Sequence, residues 1–172
     1  MNRVVSLAPQ AGASPRALLL GSMPGAASLA AGQYYAHPRN AFWPLMQALF
    51  GVPAERVYSE RLAALQSAHV ALWDVLAECE RASSLDAAIR RDGQRLNPIA
   101  EWVAGQPTLT VLALNGATAA SLFDRHLAAL LPRPLRVLRL PSTSPAHAAL
   151  PFEAKRAAWA ALRDAMEASA CA

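Results

Sequence analysis

Four short runs rich in apolar residues punctuate the chain: ALLL at 17–20, HVALWDV at 69–75, TLTVLAL at 108–114 and LRVLRL at 135–140. Each is too short for a helix, and Gly, Asn or Pro follows three of them, which predicts strands. Between them the apolar positions recur every three or four residues. Phe42, Leu45, Met46 and Leu49 mark a helix over 41–50 that stops at Gly51, and 53–67 reads as another. Ser84 caps a short helix over 84–91, and Asn97 followed by Pro98 opens one that runs to 103. A helix over 117–131 is broken by Pro132 and Pro134. The last helix, 151–168, places Phe152, Trp159, Leu162 and Met166 on one face.

Strands alternating with helices predict an α/β fold, a three-layer αβα sandwich around a four-stranded parallel sheet covered on both faces. In such sheets a ligand sits outside the carboxyl ends of the strands. The segments that leave those ends are 21–25, 74–80, 115–117 and 141–147, so the topology gathers them at one rim. The connection 26–40, with Gly32, Pro38 and the adjacent Tyr34 and Tyr35, is long for a compact domain, and loops of that length are usually functional.

With 172 residues, 54% of them hydrophobic, the chain suits one core, read here as a single domain over 16–172 preceded by a flexible end over 1–15. The apolar stretch 4–8 is interrupted by Pro9 and is too short for a secretory core. No run of 18 apolar residues predicts a membrane span. Cys79 and Cys171 have no C-x-x-C spacing and cannot alone hold zinc or an iron–sulfur cluster; they read as reduced thiols of a cytosolic protein. The formal net charge of +4 suits nucleic acid without demanding it. Its basic residues are scattered, Arg39, Arg90, Arg91, Arg95, Arg133, Arg136, Arg139, Lys155 and Arg156 among them, so any such contact must come from the folded surface.

Three motifs fall at the strand ends and in the long loop: GSMPG at 21–25, YYAHPRNAFW at 34–43 and LPSTSPAH at 140–147. Together they resemble the uracil-DNA glycosylase superfamily, and most closely its hypoxanthine-DNA (deoxyinosine) branch, over about 18–159. The middle string is the most specific. The resemblance implies a monofunctional base-excision enzyme, acting as a monomer in the cytoplasm at the nucleoid. Its partner would be DNA, and it would need no cofactor or metal. It would flip a deaminated base out of DNA and hydrolyse its N-glycosidic bond. Hypoxanthine is the first choice of base, with uracil, thymine mismatches and xanthine behind it.

The resemblance also distributes roles. Gly21, Ser22 and Met23 line the base pocket, and Tyr35 stacks on the flipped base unless it merely packs under its loop. The third position of the first motif, usually Asp or Asn, is Met23, and a thioether cannot position water. Asn40 then stands in as the catalytic residue, orienting water or hydrogen-bonding the leaving purine; the alternative is an N-cap before Ala41. Asn115 either meets the base edge or caps the next helix, and Asp74 is either a pocket residue or a satisfied core carboxylate. Ser142, Thr143 and Ser144 donate to phosphates, while Pro145, Ala146 and His147 fill the space the base vacates. His147 comes too late to match the family's loop histidine, and a surface role fits it equally. His37 fixes its loop; His69 and His126 have no partner pattern.

Rivals from other classes are weaker. A serine hydrolase using Ser142 or Ser144 with His147 lacks the G-x-S-x-G elbow. The stronger rival is a non-enzyme, a damaged-DNA-binding homologue that lost activity along with the polar residue at position 23.

Overall fold

The sheet forms because its strands can bury both faces at once. In the computed structural model, which describes residues 2–83, 85–90 and 92–169, the strands β2 (Ala17–Gly21), β3 (Val70–Asp74) and β6 (Val111–Asn115) are buried throughout. With β7 (Arg136–Leu140) they form a parallel sheet in the order β3-β2-β6-β7. Period-two alternation divides their side chains. Ala17, Leu19, Val70, Leu72, Val111 and Ala113 face helices α2 (Phe42–Phe50), α3 (Tyr58–Ser67) and α6 (Phe152–Ala168). Leu18, Leu20, Ala71, Trp73, Leu112 and Leu114 face α4 (Ile99–Ala104) and α5 (Ala117–His126). This is the expected three-layer arrangement.

Several boundaries move for identifiable reasons. The helix expected from 53 begins only at Tyr58. The long loop contains one short helix, α1 (Ala26–Ala31), closed by Gly32 in the left-handed region. The helix expected over 84–91 is a single 3-10 turn, Asp86–Ala88; its proposed cap Ser84, with Arg91, lies outside the described residues, as does Cys171. Asn97 caps nothing: its amide donates to the carbonyls of Asp74 and Leu76 and so staples the turn out of β3. Phe152 is 39% exposed, whereas Trp159, Leu162 and Met166 are buried as the helical spacing requires.

A second, three-stranded antiparallel sheet, absent from the sequence reading, is built from β1 (Asn2–Val5), β4 (Leu76–Arg81) and β5 (Arg95–Leu96) in the order β1-β4-β5. The expectation of a flexible amino-terminal end is therefore wrong for residues 2–5, which pair with β4 so that Val4 lies opposite Cys79. Beyond that strand, Gln10 exchanges both backbone hydrogen bonds with Leu72 and covers the open edge of β3. Ser6 donates its hydroxyl to Asp74 Oδ2 at 3.0 Å.

That contact touches the most strained electrostatics of the fold. Asp74 is 3% exposed at the end of β3, and burial, opposed chiefly by the Ser6 hydrogen bond, pushes its carboxyl up from 3.8 to about 7. Gly21 beside it has no side chain to spare: a Cβ there would lie 2.4 Å from Asp74 Oδ1.

Two outcomes are expected. Deleting residues 2–6 lowers chemical-denaturation stability by about 2 kcal/mol or more, the scale of several net hydrogen bonds; a loose end would cost nothing. Between about pH 4 and about pH 7 the folded protein holds a proton on Asp74 that the unfolded chain has released, so stability falls as pH rises through that window and levels off above it. The slope approaches roughly 1.4 kcal/mol per pH unit. Melting wild type and Asp74→Asn at about pH 5 and about pH 8 checks this: the loss shrinks in the variant, and an unchanged loss would assign it to another group.

Candidate active site

The carboxyl ends of β2, β3, β6 and β7 reach the same rim, Gly21 pairing with Asp74 and Asn115 with Leu140 in the register. A cavity of about 400 Å³ opens there, within the usual range for small-molecule sites. Its lining brings together Gly21, Ser22, Met23, Tyr35, Asn40, Asp74, Asn115, Ser142, Thr143, Ser144, Pro145 and Ala146. His147 is the exception. It is exposed and faces a separate groove beside Arg125 and Arg139, on the far side of its loop.

One residue holds these pieces in register. Thr143 is 1% exposed, and its backbone N–H donates to Asn115 Oδ1 while its hydroxyl accepts from Asn115 Nδ2, both at 3.0 Å. Its carbonyl accepts the N–H of Ala41 at 3.0 Å. Thr143 therefore ties the end of β6 and the 142–147 loop to the segment that carries Asn40. It is a clamp rather than the phosphate contact expected of it, because at 1% exposure it has almost no surface to meet DNA. Gly116, at φ +96, permits the close approach: a Cβ there would sit 2.9 Å from the Ser142 side chain. From α6, Trp159 donates to the Pro141 carbonyl and Lys155 to the His147 carbonyl, each at 2.9 Å.

Ser142 and Ser144 keep the capacity expected of them. Their hydroxyl oxygens accept the backbone N–H groups of Ser144 and Ala146, each at 3.2 Å. Their O–H groups are left as donors.

Asn40 lies at the cavity, but it is not the N-cap of α2, a position held by Ala41 without a side-chain cap bond. Its Oδ1 accepts the Phe42 N–H at 3.0 Å and closes the turn that leads into α2. This fixes the orientation of the amide: the oxygen faces the helix, and the NH₂ group, which has no hydrogen-bond partner among the described residues, is a pure donor at the cavity wall. His37 secures the turn before it, its Nδ1 accepting the Arg39 N–H and its carbonyl the Asn40 N–H. Arg39 itself is exposed on the cavity rim, and no carboxylate pairs with it among the described residues.

Tyr35 adopts a left-handed backbone conformation, φ 55, uncommon for a residue with a side chain and a form of strain that concentrates at functional sites. One face of its ring stacks on Phe42 with centroids 3.9 Å apart, so a base could meet only the other face or the ring edge. The ring is half-buried and the hydroxyl fully sheltered. Burial first, then the Asp74 carboxyl, pushes the phenol pKa well up, with Asn115 offsetting part of the rise. Asn115 lies close enough to act on the hydroxyl without the geometry of a hydrogen bond, so the O–H has no partner among the described residues.

The lining also includes residues the sequence did not single out for the site. Leu85 and Asp86 reach the cavity from the excursion between β4 and β5, and Ser22 donates its hydroxyl to Asp86 Oδ1 at 2.6 Å. Met23 is 5% exposed and packs with the α4–α5 side of the core. No local pattern in the sequence foretells the Ser22–Asp86 contact, because it joins residues 64 positions apart.

Comparison with known proteins agrees with this architecture. The family model described as the Uracil DNA glycosylase superfamily matches residues 9–163. A hypoxanthine DNA glycosylase of Methanosarcina barkeri is 34% identical over 100 residues, and one of Methanosarcina acetivorans 31% identical over 103 residues. These alignments take in 58% and 59% of this chain but only 62% and 64% of the two relatives, less than two thirds of their length. The solution NMR structure of a candidate uracil DNA glycosylase from Methanosarcina acetivorans has the same fold, with a TM-score of 0.82 at 24% identity over 96% of this chain and 99% of that one. With its sheet, its strand-end cavity and nearly all its length accounted for in this way, the chain belongs to the uracil DNA glycosylase superfamily.

Proposed function

We propose that this chain is a DNA glycosylase that hydrolyses the N-glycosidic bond of a deaminated base, hypoxanthine foremost, after the nucleotide has swung out of DNA into the strand-end cavity. The observation that carries the reading is the juxtaposition of the strained Tyr35 and the Asn40 amide, its oxygen fixed by the Phe42 N–H, in one cavity at the carboxyl ends of the sheet. The hypoxanthine DNA glycosylases that the chain resembles favour the same base.

The reaction breaks the bond between sugar C1′ and the base nitrogen. The bonding electron pair leaves with the base, and water adds to the electron-poor sugar. Negative charge therefore builds on the base as the bond stretches, and fixed donors aimed at it lower the barrier. Asn40 suits that task. Its NH₂ hydrogens point to the cavity, and it need not reorganise because the Phe42 N–H already holds its oxygen. The second lone pair of that oxygen would serve the alternative role of orienting water. Tyr35 flanks the base with its free face or edge. Gly21, Ser22 and Met23 form the wall on the β2 side, and Asp74 and Asn115 support the floor.

DNA would lie across the cavity mouth. Arg39 on one rim and the Ser142 and Ser144 hydroxyls on the other would take phosphates, with Pro145 and Ala146 against the vacated stack. His147, on the other groove, would meet the flanking backbone. No described helix is long and apolar enough to cross a membrane, and the protein would act as a monomer on cytoplasmic, nucleoid DNA.

Single-turnover release of hypoxanthine from a deoxyinosine oligonucleotide tests the reading: wild type releases the base, and binding without release would instead favour a damaged-DNA-binding protein. Asn40→Ala is expected to slow release by about 10²–10³-fold with DNA affinity nearly intact, the scale of one lost transition-state donor; a near-normal rate would remove Asn40 from the mechanism. Wild-type affinity should fall steeply with salt, and Arg39→Ala should lower the slope of log K against log salt by about one, for one phosphate contact. An unchanged slope would place Arg39 off the DNA.

A further inference from the structure

Glycosidic hydrolysis needs a second polar function besides a donor to the base: an acceptor that aligns the attacking water and takes its proton. Resting on the glycosylase reading, the cavity identifies where that acceptor must come from. Met23 cannot provide it, and the amides of Asn40 and Asn115 can accept a hydrogen bond but take up no proton from water. Asp74 is 3% exposed, sealed over Gly21 and bonded to Ser6. The hydroxyls of Ser142 and Ser144, which accept backbone N–H groups, are neutral and hold no proton taken from water.

The remaining carboxyl in the lining is Asp86. It is exposed to the cavity, and one of its oxygens is anchored by the Ser22 hydroxyl at 2.6 Å. The anchor matters because Ser22 immediately precedes Met23, so Asp86 is fastened beside the position where the first motif lacks its polar side chain. The excursion that carries Asp86 is braced at its base as well. Arg81 and Ile89 form an isolated bridge, the Arg90 N–H donates to the Glu80 carbonyl, and Arg81 bonds the Pro24 carbonyl. Asp86 is thus held against the first motif from both ends of its turn.

We propose that Asp86 is the second catalytic residue of this site, the acceptor that orients the attacking water and removes its proton. In the step assigned to it, the water oxygen bonds to C1′ as the C1′–N bond opens. The bonding pair departs on the base, toward the Asn40 donor. One water proton passes to the free Asp86 carboxylate oxygen and from there to solvent or to the departed base. Donor and acceptor roles, usually looked for in one motif, are divided here between two loops: Asn40 acts on the leaving group and Asp86 on the nucleophile. Ser22 is a positioning residue that holds Asp86 in line.

Asp86→Asn separates this role from a structural one, because asparagine still accepts the Ser22 hydroxyl and keeps the turn in place but takes up no proton. In single-turnover assays on a deoxyinosine oligonucleotide, Asp86→Asn is expected to slow base release by about 10²-fold or more, the scale of general-base catalysis, with DNA affinity within about threefold of wild type. Added formate, a small external acceptor, is expected to restore part of the rate to Asp86→Ala, and Asp164→Asn, an exposed acid on α6, is expected to act as wild type does. An Asp86→Asn variant that releases base at the wild-type rate would overturn the assignment while leaving the glycosylase reading intact. Equal losses of rate and of DNA affinity would overturn it in favour of a structural role for the turn. A wild-type protein that releases no base would defeat the glycosylase reading and this assignment with it.

Discussion

The site depends on three hydrogen bonds made by one buried threonine. Thr143 exchanges two bonds with the Asn115 carboxamide and accepts a third from Ala41, and so joins the end of a central strand, the loop after the last strand and the start of α2. Each of these pieces carries groups that line the cavity, and the bond to Ala41 joins the first two, already paired through Gly116 and Leu140, to the third. Buried polar groups must be paired. Here the pairing also sets the spacing between walls that come from remote parts of the chain. The parallel sheet makes the convergence possible, since its strands run the same way and end level, and Thr143 fixes how close the loops come.

Polarity in the cavity follows from what each group has already spent elsewhere. The Phe42 N–H fixes the Asn40 oxygen and leaves its NH₂ without a partner among the described residues. Backbone amides likewise fix the Ser142 and Ser144 oxygens and leave their O–H groups as donors. Thr143 is buried within the clamp. Burial raises the Asp74 carboxyl to about 7, and Asp86, more open to solvent, is anchored through one oxygen. Local capping and turn chemistry, of the kind that usually serves only to begin a helix or close a loop, thereby decides which face of each amide or hydroxyl a substrate would meet.

Much of this was legible in the sequence, and the remainder was not for physical reasons. The four core strands could be read because each is a short run rich in apolar residues, three of them ended by Gly, Asn or Pro, and burial of the central strands on both faces demands such runs. The second sheet could not. In β4 the buried positions are Leu76, Cys79 and Arg81, which follow neither strand nor helix period, and β5 is only two residues long. The strand at residues 2–5 has a partner more than 70 residues away, so nothing local distinguished it from a loose end. The motif residues did fall around one cavity. What sequence could not show was direction. Thr143 points inward and His147 away from the cavity, and both lie in the same short polar loop. The Ser22–Asp86 bond is a tertiary contact with no spacing rule behind it.

The most direct test of the whole account is a crystal structure of the protein bound to duplex DNA containing a 2′-fluorinated deoxyinosine, whose glycosidic bond resists cleavage. The account predicts hypoxanthine outside the helix, in the cavity beside Tyr35, with Asn40 Nδ2 donating to the base and Asn40 Oδ1 still on the Phe42 N–H. A base left stacked in the duplex, or seated away from Asn40, would contradict it.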